Sequence, residues 1–259
     1  MDESEKKYDS IVMVERALQI IKLLSVREES CGVSEIADSL GLPKANVFRI
    51  LNTMSKSGFA IKNPDTEKYD LSIAFIEIGE KLKCRLDLER ISAQTMEELS
   101  RRVGETVNLG ILFEDEVLTI HTVQGESSIL VSKLKATSPL YCSSTGKLFL
   151  SEMEEKDVRT YFQSARLLKR TINTITDFDG YLAEKEQILR DGIAYDREEY
   201  EYGLTCMSSP VYGKQGKIAA TMGISGPTSR LQYKDFDILA KAIKEAAEKL
   251  SDLVGRANL

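Results

Sequence analysis

The chain has 259 residues, of which 42% are hydrophobic, and carries a formal net charge of -6 with a single histidine. That length suits one large or two ordinary domains, and two are expected. The acidic balance excludes indiscriminate nucleic-acid binding through a uniformly basic coat, so any DNA contact must be local. No apolar run approaches the ~20 residues of a membrane span, and the charged opening MDESEKKYDS lacks the apolar core of a signal peptide, so a cytoplasmic location is expected. Cys31, Cys84, Cys142 and Cys206 are scattered without a C-x-x-C pair, and only His121 is available beside them, so no zinc site is expected. In a reducing compartment each cysteine is expected as a small buried residue rather than half of a disulfide.

The first predicted helix covers residues 14–24, where Val14, Ala17, Leu18, Ile21 and Leu24 recur at three- and four-residue steps and form a stripe to pack on the next two helices. Residues 33–57 then read as a helix-turn-helix. Ile36, Leu40, Leu42, Val47 and Ile50 face one another, with small Ala37 at the closest approach. Gly41 supplies the left-handed residue after the first helix, and Pro43 opens the second with φ preset and no N–H to satisfy. Between Leu42 and Lys62 the charges are Lys44, Arg49, Lys56 and Lys62, with no acid, the positive face that phosphates require. A helical hairpin with no role in DNA binding carries the same apolar pattern. Residues 59–71 separate the two readings: a strand at 59–62, turn chemistry at 63–65 and a returning strand at 68–71 make a wing, so the DNA-binding unit spans 10–72.

From 73 to 103 the pattern stays helical. A linker helix is expected over 73–86 and a second helix from Asp87, its N-cap, to a stop at Gly104. The apolar surface of this stretch exceeds what the small N-terminal unit covers, which suggests dimerisation through the linker. Beyond Gly104 the texture becomes β-like. A hairpin is predicted from 106–113 and 117–123, a strand at 129–134, helices from about Ser144, at 154–161 and at 178–190, strands at 206–212 and 218–224, and a closing helix at 233–254. Antiparallel strands with helices grouped around them indicate an α+β domain over 87–256.

Two polar clusters in this domain invite a ligand. Ser143-Ser144-Thr145-Gly146-Lys147 stands at a helix start, where amides, hydroxyls and the positive end of the helix dipole suit a carboxylate or phosphate. Ordinary N-capping by Ser144 or Thr145 explains the same residues. The second cluster holds Asp196, Glu198 and Glu199 in a loop before an apolar strand. Such acids serve acid–base chemistry or metal binding, but no histidine is near and Arg197 lies among them, so ordinary ion pairs are at least as good a reading. Period-two alternation places Cys206, Ser208 and Pro210 on one strand face that can line a pocket, with Ser225 at a strand end nearby. A Cys206–His121–Asp196 triad has the right residue types but no local sign that they meet. An enzyme of this fold using Cys206 as nucleophile or redox centre is the alternative from another class.

Three separated stretches resemble the IclR family of bacterial transcriptional regulators: GLPKANVFRILNTM followed by Gly58-Phe59; VGETVNLGIL with the later STGKLFL; and GIAYDREEYEYGLTCMSSPV with ISGP downstream. Gly192, Asp196, Glu199 and Cys206 fall at the spacing of the family signature, and the likeness covers about residues 11–256. The resemblance implies a winged helix-turn-helix joined by a linker helix to a GAF-like effector domain. It also implies a repressor, not an enzyme, that binds double-stranded, pseudo-palindromic operator DNA as a homodimer or a dimer of dimers. Small organic, aromatic or sugar acids are the implied effectors, and no cofactor is. By residue-wise transfer Leu130, Ser144, Thr145, Asp196, Leu204, Cys206, Gly223 and Ser225 match effector positions. On the DNA side, Lys44, Arg49 and Lys56 are expected on phosphates or guanine, Asn46 and Asn52 on adenine, and Lys62 and Lys68 on backbone, with Pro43, Ala45 and Phe48 on the same surface. The chain departs from the family pattern at Ala45-Asn46, where Ser-Thr is common, at Phe48, where His is common, and at Gly213, so operator preference is not inherited.

Overall fold

The computed structural model of the chain describes residues 10–83, 87–125, 137–164 and 167–257. The strand expected at 129–134 and the effector position Leu130 lie outside the described residues. The chain divides into two units, Met1–Arg85 and Leu86–Leu259.

The first unit contains α1 (Val12–Ser25), α2 (Val33–Leu40), α3 (Lys44–Lys56), β1 (Ala60–Lys62), β2 (Tyr69–Leu71) and α4 (Ala74–Lys83). Gly41 ends α2 in the left-handed region at φ 64°, and the Leu42 N–H closes the turn on the Ala37 carbonyl at 3.0 Å. Pro43 caps α3 with φ -60°. Local chemistry therefore fixes both ends of the turn. Ile36, Ala37, Val47, Ile50, Leu51 and Met54 bury one face of each helix against Ile20 and Leu24 of α1. The expected α1 stripe is corrected in part: Ala17, Ile21 and Leu24 do pack on the core, but Val14 and Leu18 are more than half exposed and Ile20 takes the most buried place. This helix is apolar on two sides, so periodicity alone does not choose the buried one. β1 and β2 pair antiparallel, Ala60 opposite Leu71, and the Asn63 side chain accepts from the N–H groups of Asp65 and Thr66 to shape the wing tip.

The second unit begins with α5 (Asp87–Val103), stopped at Gly104 with φ 68°. Next come β3 (Thr106–Phe113), β4 (Glu116–Val123), β5 (Thr137–Pro139), α6 (Ser144–Glu152), α7 (Glu155–Ser164) and α8 (Phe178–Asp191). The chain then forms β6 (Ala194–Arg197), β7 (Leu204–Tyr212), β8 (Ile218–Pro227), α9 (Thr228–Tyr233) and α10 (Phe236–Arg256). The described strands of this unit form one antiparallel sheet in the order β5-β4-β3-β8-β7-β6. The closing helix predicted at 233–254 is α10, which starts three residues later because Asp235 caps it by accepting from the Asp237 N–H; the short α9 before it is not predicted from the sequence.

Period-two alternation sorts the sheet into a dry face and a polar one. Val107, Leu109, Met207, Met222 and Ile224 point into a core with Met96 and Leu99 of α5 and Ile243 and Leu250 of α10. The intervening residues, Asn108, Cys206, Ser208, Gly223 and Ser225, share the opposite face, where α6 lies. Register makes two rows across it: Asn108, Gly223 and Ser208 in one, Thr106, Ser225, Cys206 and Asp196 in the other. The polar row that builds a pocket is thus the back of the strands that build the core.

Candidate DNA-binding and effector sites

On α3 the buried face of Val47, Ile50, Leu51 and Met54 leaves an opposite stripe of Ala45, Phe48, Arg49, Asn52 and Lys56, all exposed. Asn46 lies at its edge, half-buried. Among the described residues no ion pair involves Lys44, Arg49 or Lys56, so their charge stays available to an anionic partner. The wing lysines differ: Lys62 pairs with Glu67, and Lys68 with Glu35 at 3.4 Å. Glu35 is committed to the fold as well, since its carboxylate accepts from the Gly32 N–H that starts α2, and that bond, together with Lys68, holds its pKa down.

In the second unit a cavity of about 60 Å³ opens between the polar sheet face and the N-terminus of α6. It has room for a few waters or one small organic molecule. Its lining includes Ser144, Thr145, Asp196, Leu204, Cys206, Gly223 and Ser225, so these seven transferred positions do meet. Ser143, not the expected Ser144 or Thr145, caps α6: its Oγ accepts from the Gly146 N–H at 3.0 Å and donates to the Pro139 carbonyl at 2.6 Å. A cap at Ser143 leaves Ser144 and Thr145 to face the cavity. Ser144 Oγ is hydrogen-bonded to Ser208 Oγ at 2.7 Å. Gly146 allows the close seating of α6, since a Cβ there would lie 2.4 Å from Leu140 Cα.

Asp196 is not in a loop, as its acidic neighbours suggested, but on edge strand β6 opposite Cys206. Four residues with three buried in a row give no alternation to read. Its Oδ1 accepts from the N–H groups of Glu199 at 2.7 Å and Tyr200 at 3.2 Å. Burial pushes its carboxyl up to about 7 against those two bonds, which favour the charged form, and the nearby Glu199 adds to the rise. Behind the cavity Lys147 is wholly buried, bonded to Glu199 at 2.5 Å and to Glu184 at 3.0 Å, and ties α6 to the turn after β6 and to α8. Glu199 Oε2 has no partner among the described residues.

Sequence reasoning missed the far wall. Asn108 donates from Nδ2 to Ser225 Oγ at 3.1 Å, and Thr122 Oγ1 donates to Asn108 Oδ1 at 2.9 Å, which fixes the amide's orientation. Thr119, Thr137, Ser138 and Tyr200 also line the cavity. The VNLGILF alternation marks Asn108 as a face-changing residue, but only the pairing of β3 with β8 puts it beside Ser225. Pro210, expected on the Cys206 face, is not among the lining residues.

The triad does not form. His121 pairs with Leu109 on the dry face and lies near Ser92 of α5, while Asp196 is on the strand four spacings away, roughly 19 Å across the sheet. Burial raises the Cys206 thiol well above its usual range, and the neighbouring Asp196 adds to the rise, the reverse of what a nucleophile needs. Among the described residues no three His, Cys, Asp or Glu side chains converge on a metal-sized space.

A winged helix-turn-helix with an unencumbered basic face, carried in one chain with a domain that encloses a polar cavity, defines a ligand-responsive DNA-binding regulator. Residues 13–64 match the IclR helix-turn-helix domain and residues 81–252 the bacterial transcriptional regulator IclR C-terminal domain. The chain belongs to the IclR family. It is 30% identical over 252 residues to the HTH-type transcriptional regulator KdgR of Escherichia coli K12, covering 97% of this chain and 95% of that protein. It is 30% identical over 244 residues to the DNA-binding transcriptional repressor YiaJ of the same organism, covering 93% and 86%. The crystal structure of an IclR transcriptional regulator from Alicyclobacillus acidocaldarius matches with a TM-score of 0.81 at 26% identity, covering 95% of this chain and all of that one. The protein is a transcriptional regulator, not an enzyme, and no described helix is long and apolar enough to cross a membrane.

Proposed function

We propose that this regulator is a repressor that binds a pseudo-palindromic operator as a homodimer, or as a dimer of dimers, and answers to a small organic or sugar acid bound in the cavity. The observation that carries the reading is the pairing, in one chain, of a basic α3 face whose lysines and arginine make no ion pair among the described residues with a cavity rimmed by the start of α6. A relative whose name is that of a repressor supports the sign. The exposed Ile76, Ile78 and Leu82 of α4 support the linker, residues 73–86, as the dimer contact between a DNA-binding unit of 10–72 and an effector domain of 87–256.

At the DNA, Pro43, Lys44, Ala45, Asn46, Phe48, Arg49, Asn52 and Lys56 form the contact surface, and Lys62 and Lys68 contribute from the wing only by exchanging Glu67 and Glu35 for phosphate. Two half-sites about one helical turn apart, roughly 10 bp or a multiple, suit a two-fold dimer. In the effector site the acid's carboxylate takes the amides and hydroxyls of Ser144 and Thr145 at the positive end of α6. Its remaining polar groups meet Asp196, Ser208 and Ser225, with Leu204, Cys206 and Gly223 closing the space. Effector and operator act on one equilibrium, so each alters the other's affinity by the same factor, typically about 1–3 kcal/mol.

Selection of duplexes from a randomised pool by the purified protein tests this. Enrichment of one sequence with two related half-sites, and a changed affinity for it in the presence of a small acid that raises the thermal midpoint, is the expected result. A pool that stays random would overturn the reading.

A further inference from the structure

We propose that Phe48 reads the 5-methyl group of a thymine in each operator half-site, which rests on the reading of α3 as the DNA-binding helix. Phe48 is 50% exposed in the middle of a helix whose opposite face is wholly committed to the core. Among the described residues no aromatic ring stacks on it; the ring pairs lie elsewhere, as with Phe59 and Phe75. On an exposed stripe otherwise made of Ala45, Arg49, Asn52 and Lys56, Phe48 is the one large apolar side chain presented to whatever the stripe binds.

The charge around the ring identifies that partner. Lys44 stands one turn before it, Arg49 beside it and Lys56 two turns beyond, with no acidic residue anywhere on α3. Phosphates flank the major groove, and such a basic surround seats the helix in it. Within the groove the choice narrows sharply. Purines present N7 with O6 or N6, and cytosine presents an amino donor, all of which lose a water partner if a phenyl ring covers them. Thymine alone offers an apolar group there, its methyl. A ring without donor or acceptor therefore stabilises the complex only against thymine.

The neighbouring residues fit that assignment. Ala45, Phe48 and Asn52 are spaced by three and four residues and so run along one line of the helix surface. Phe48 and Asn52 are about 6 Å apart along the axis, under two base-pair steps. Asn52 is suited to the N6 and N7 of adenine. The line thus reads a short A·T-rich step, with the ring on one strand's methyl and the amide within two base pairs of it.

The test uses the duplex that the full-length protein selects from a randomised pool, resynthesised with uracil in place of each thymine in turn. Uracil removes only the methyl. Binding is followed by fluorescence anisotropy for the wild type, Phe48→Ala and Phe48→Leu. One thymine per half-site should be found whose replacement weakens wild-type binding about fourfold, the factor carried by one buried methyl-sized group. The same replacement should leave Phe48→Ala binding unchanged and should still weaken Phe48→Leu. Since Phe48 lies outside the core, both variants should unfold at the wild-type temperature. Uracil effects that are absent, or equal in the wild type and Phe48→Ala, overturn the assignment, as does a Phe48→Ala protein that changes only its oligomeric state. Failure of the DNA-binding reading would show differently, as no enriched duplex at all.

Discussion

Ser144 Oγ and Ser208 Oγ lie 2.7 Å apart, so the first residue of α6 is hydrogen-bonded to the middle of β7. The bond exists because the residue across β8 from Ser208 is Gly223, which leaves the floor of the cavity bare. A Cβ on residue 223 would fall 2.1 Å from Ser208 Oγ and 2.5 Å from the Met207 carbonyl. Gly223→Ala should therefore displace Ser208, break its bond to Ser144 and cost about 1–3 kcal/mol, as overpacking typically does. Thermal unfolding should show a midpoint several degrees lower, and small acids that stabilise the wild type should no longer shift it. An unchanged midpoint with a full acid response would contradict the geometry.

Asp196 gives a pH signature. Its native carboxyl is pushed up to about 7, mainly by burial, from an ordinary 3.8. Between those values the native state holds a proton that the unfolded state has released. Unfolded chains then bind fewer protons, and stability falls as pH rises through that window. The full effect is on the order of 4 kcal/mol. Asp196→Asn mimics the protonated form and keeps the oxygen that accepts from Glu199 and Tyr200. The wild type should therefore lose thermal stability relative to Asp196→Asn between about pH 4 and 7, with the difference levelling off above. Parallel curves across that range would show that Asp196 is ionised in the fold.

How much of this is legible in the sequence depends on where each signal resides. The helix-turn-helix can be read because Gly41 and Pro43 act on their own backbones. The α6 cap cannot be placed to the residue, since Ser143, Ser144 and Thr145 are chemically equivalent in sequence. Only the close approach of Leu140 to Gly146 and the presence of Ser208 decide among them. Asn108 is hidden for a similar reason: alternation says that Asn108 and Leu109 face opposite ways but not which way the helices lie. Of the positions named by the resemblance, Asp196, Leu204, Cys206, Gly223 and Ser225 come to one cavity through the pairing of β6, β7 and β8, and Ser144 and Thr145 join them from the start of α6. The resemblance says nothing of the wall contributed by β3, β4 and β5.

Lys147 is a buried cation between two carboxylates, and its removal should be costlier than the charge count suggests. With Lys147→Met, Glu199, which is 4% exposed, loses its cation, while Glu184 keeps only the longer pair with Arg197 at 3.9 Å. Breaking such a buried pair costs about 3–5 kcal/mol, because the remaining charge has no water to turn to. Adding Glu199→Gln should restore a large part of the loss. Urea unfolding of the two single variants and the double variant measures the coupling, and strict additivity would mean that the pair contributes no specific interaction.

The basic residues of the DNA-binding unit differ in how readily they reach phosphate. Each phosphate neutralised by a protein cation contributes about -0.9 to the slope of log K against log salt. Arg49 makes no ion pair among the described residues, whereas Lys62 is already held by Glu67, an exposed pair that lifts the Lys62 pKa, chiefly through their hydrogen bond. Arg49→Ala should thus weaken binding to the selected duplex and reduce the slope by about one per protomer if its partner is phosphate. If its partner is guanine, affinity should fall mainly for the cognate sequence, with little change against random duplex. Lys62→Ala should alter the slope by less than Arg49→Ala, since its contact with DNA first requires the loss of Glu67. Glu67→Gln should raise affinity by freeing that lysine. Anisotropy titrations at several salt concentrations separate these outcomes, and a Lys62 effect equal to that of Arg49 in the wild-type background would show that Glu67 does not hold the wing lysine away from DNA.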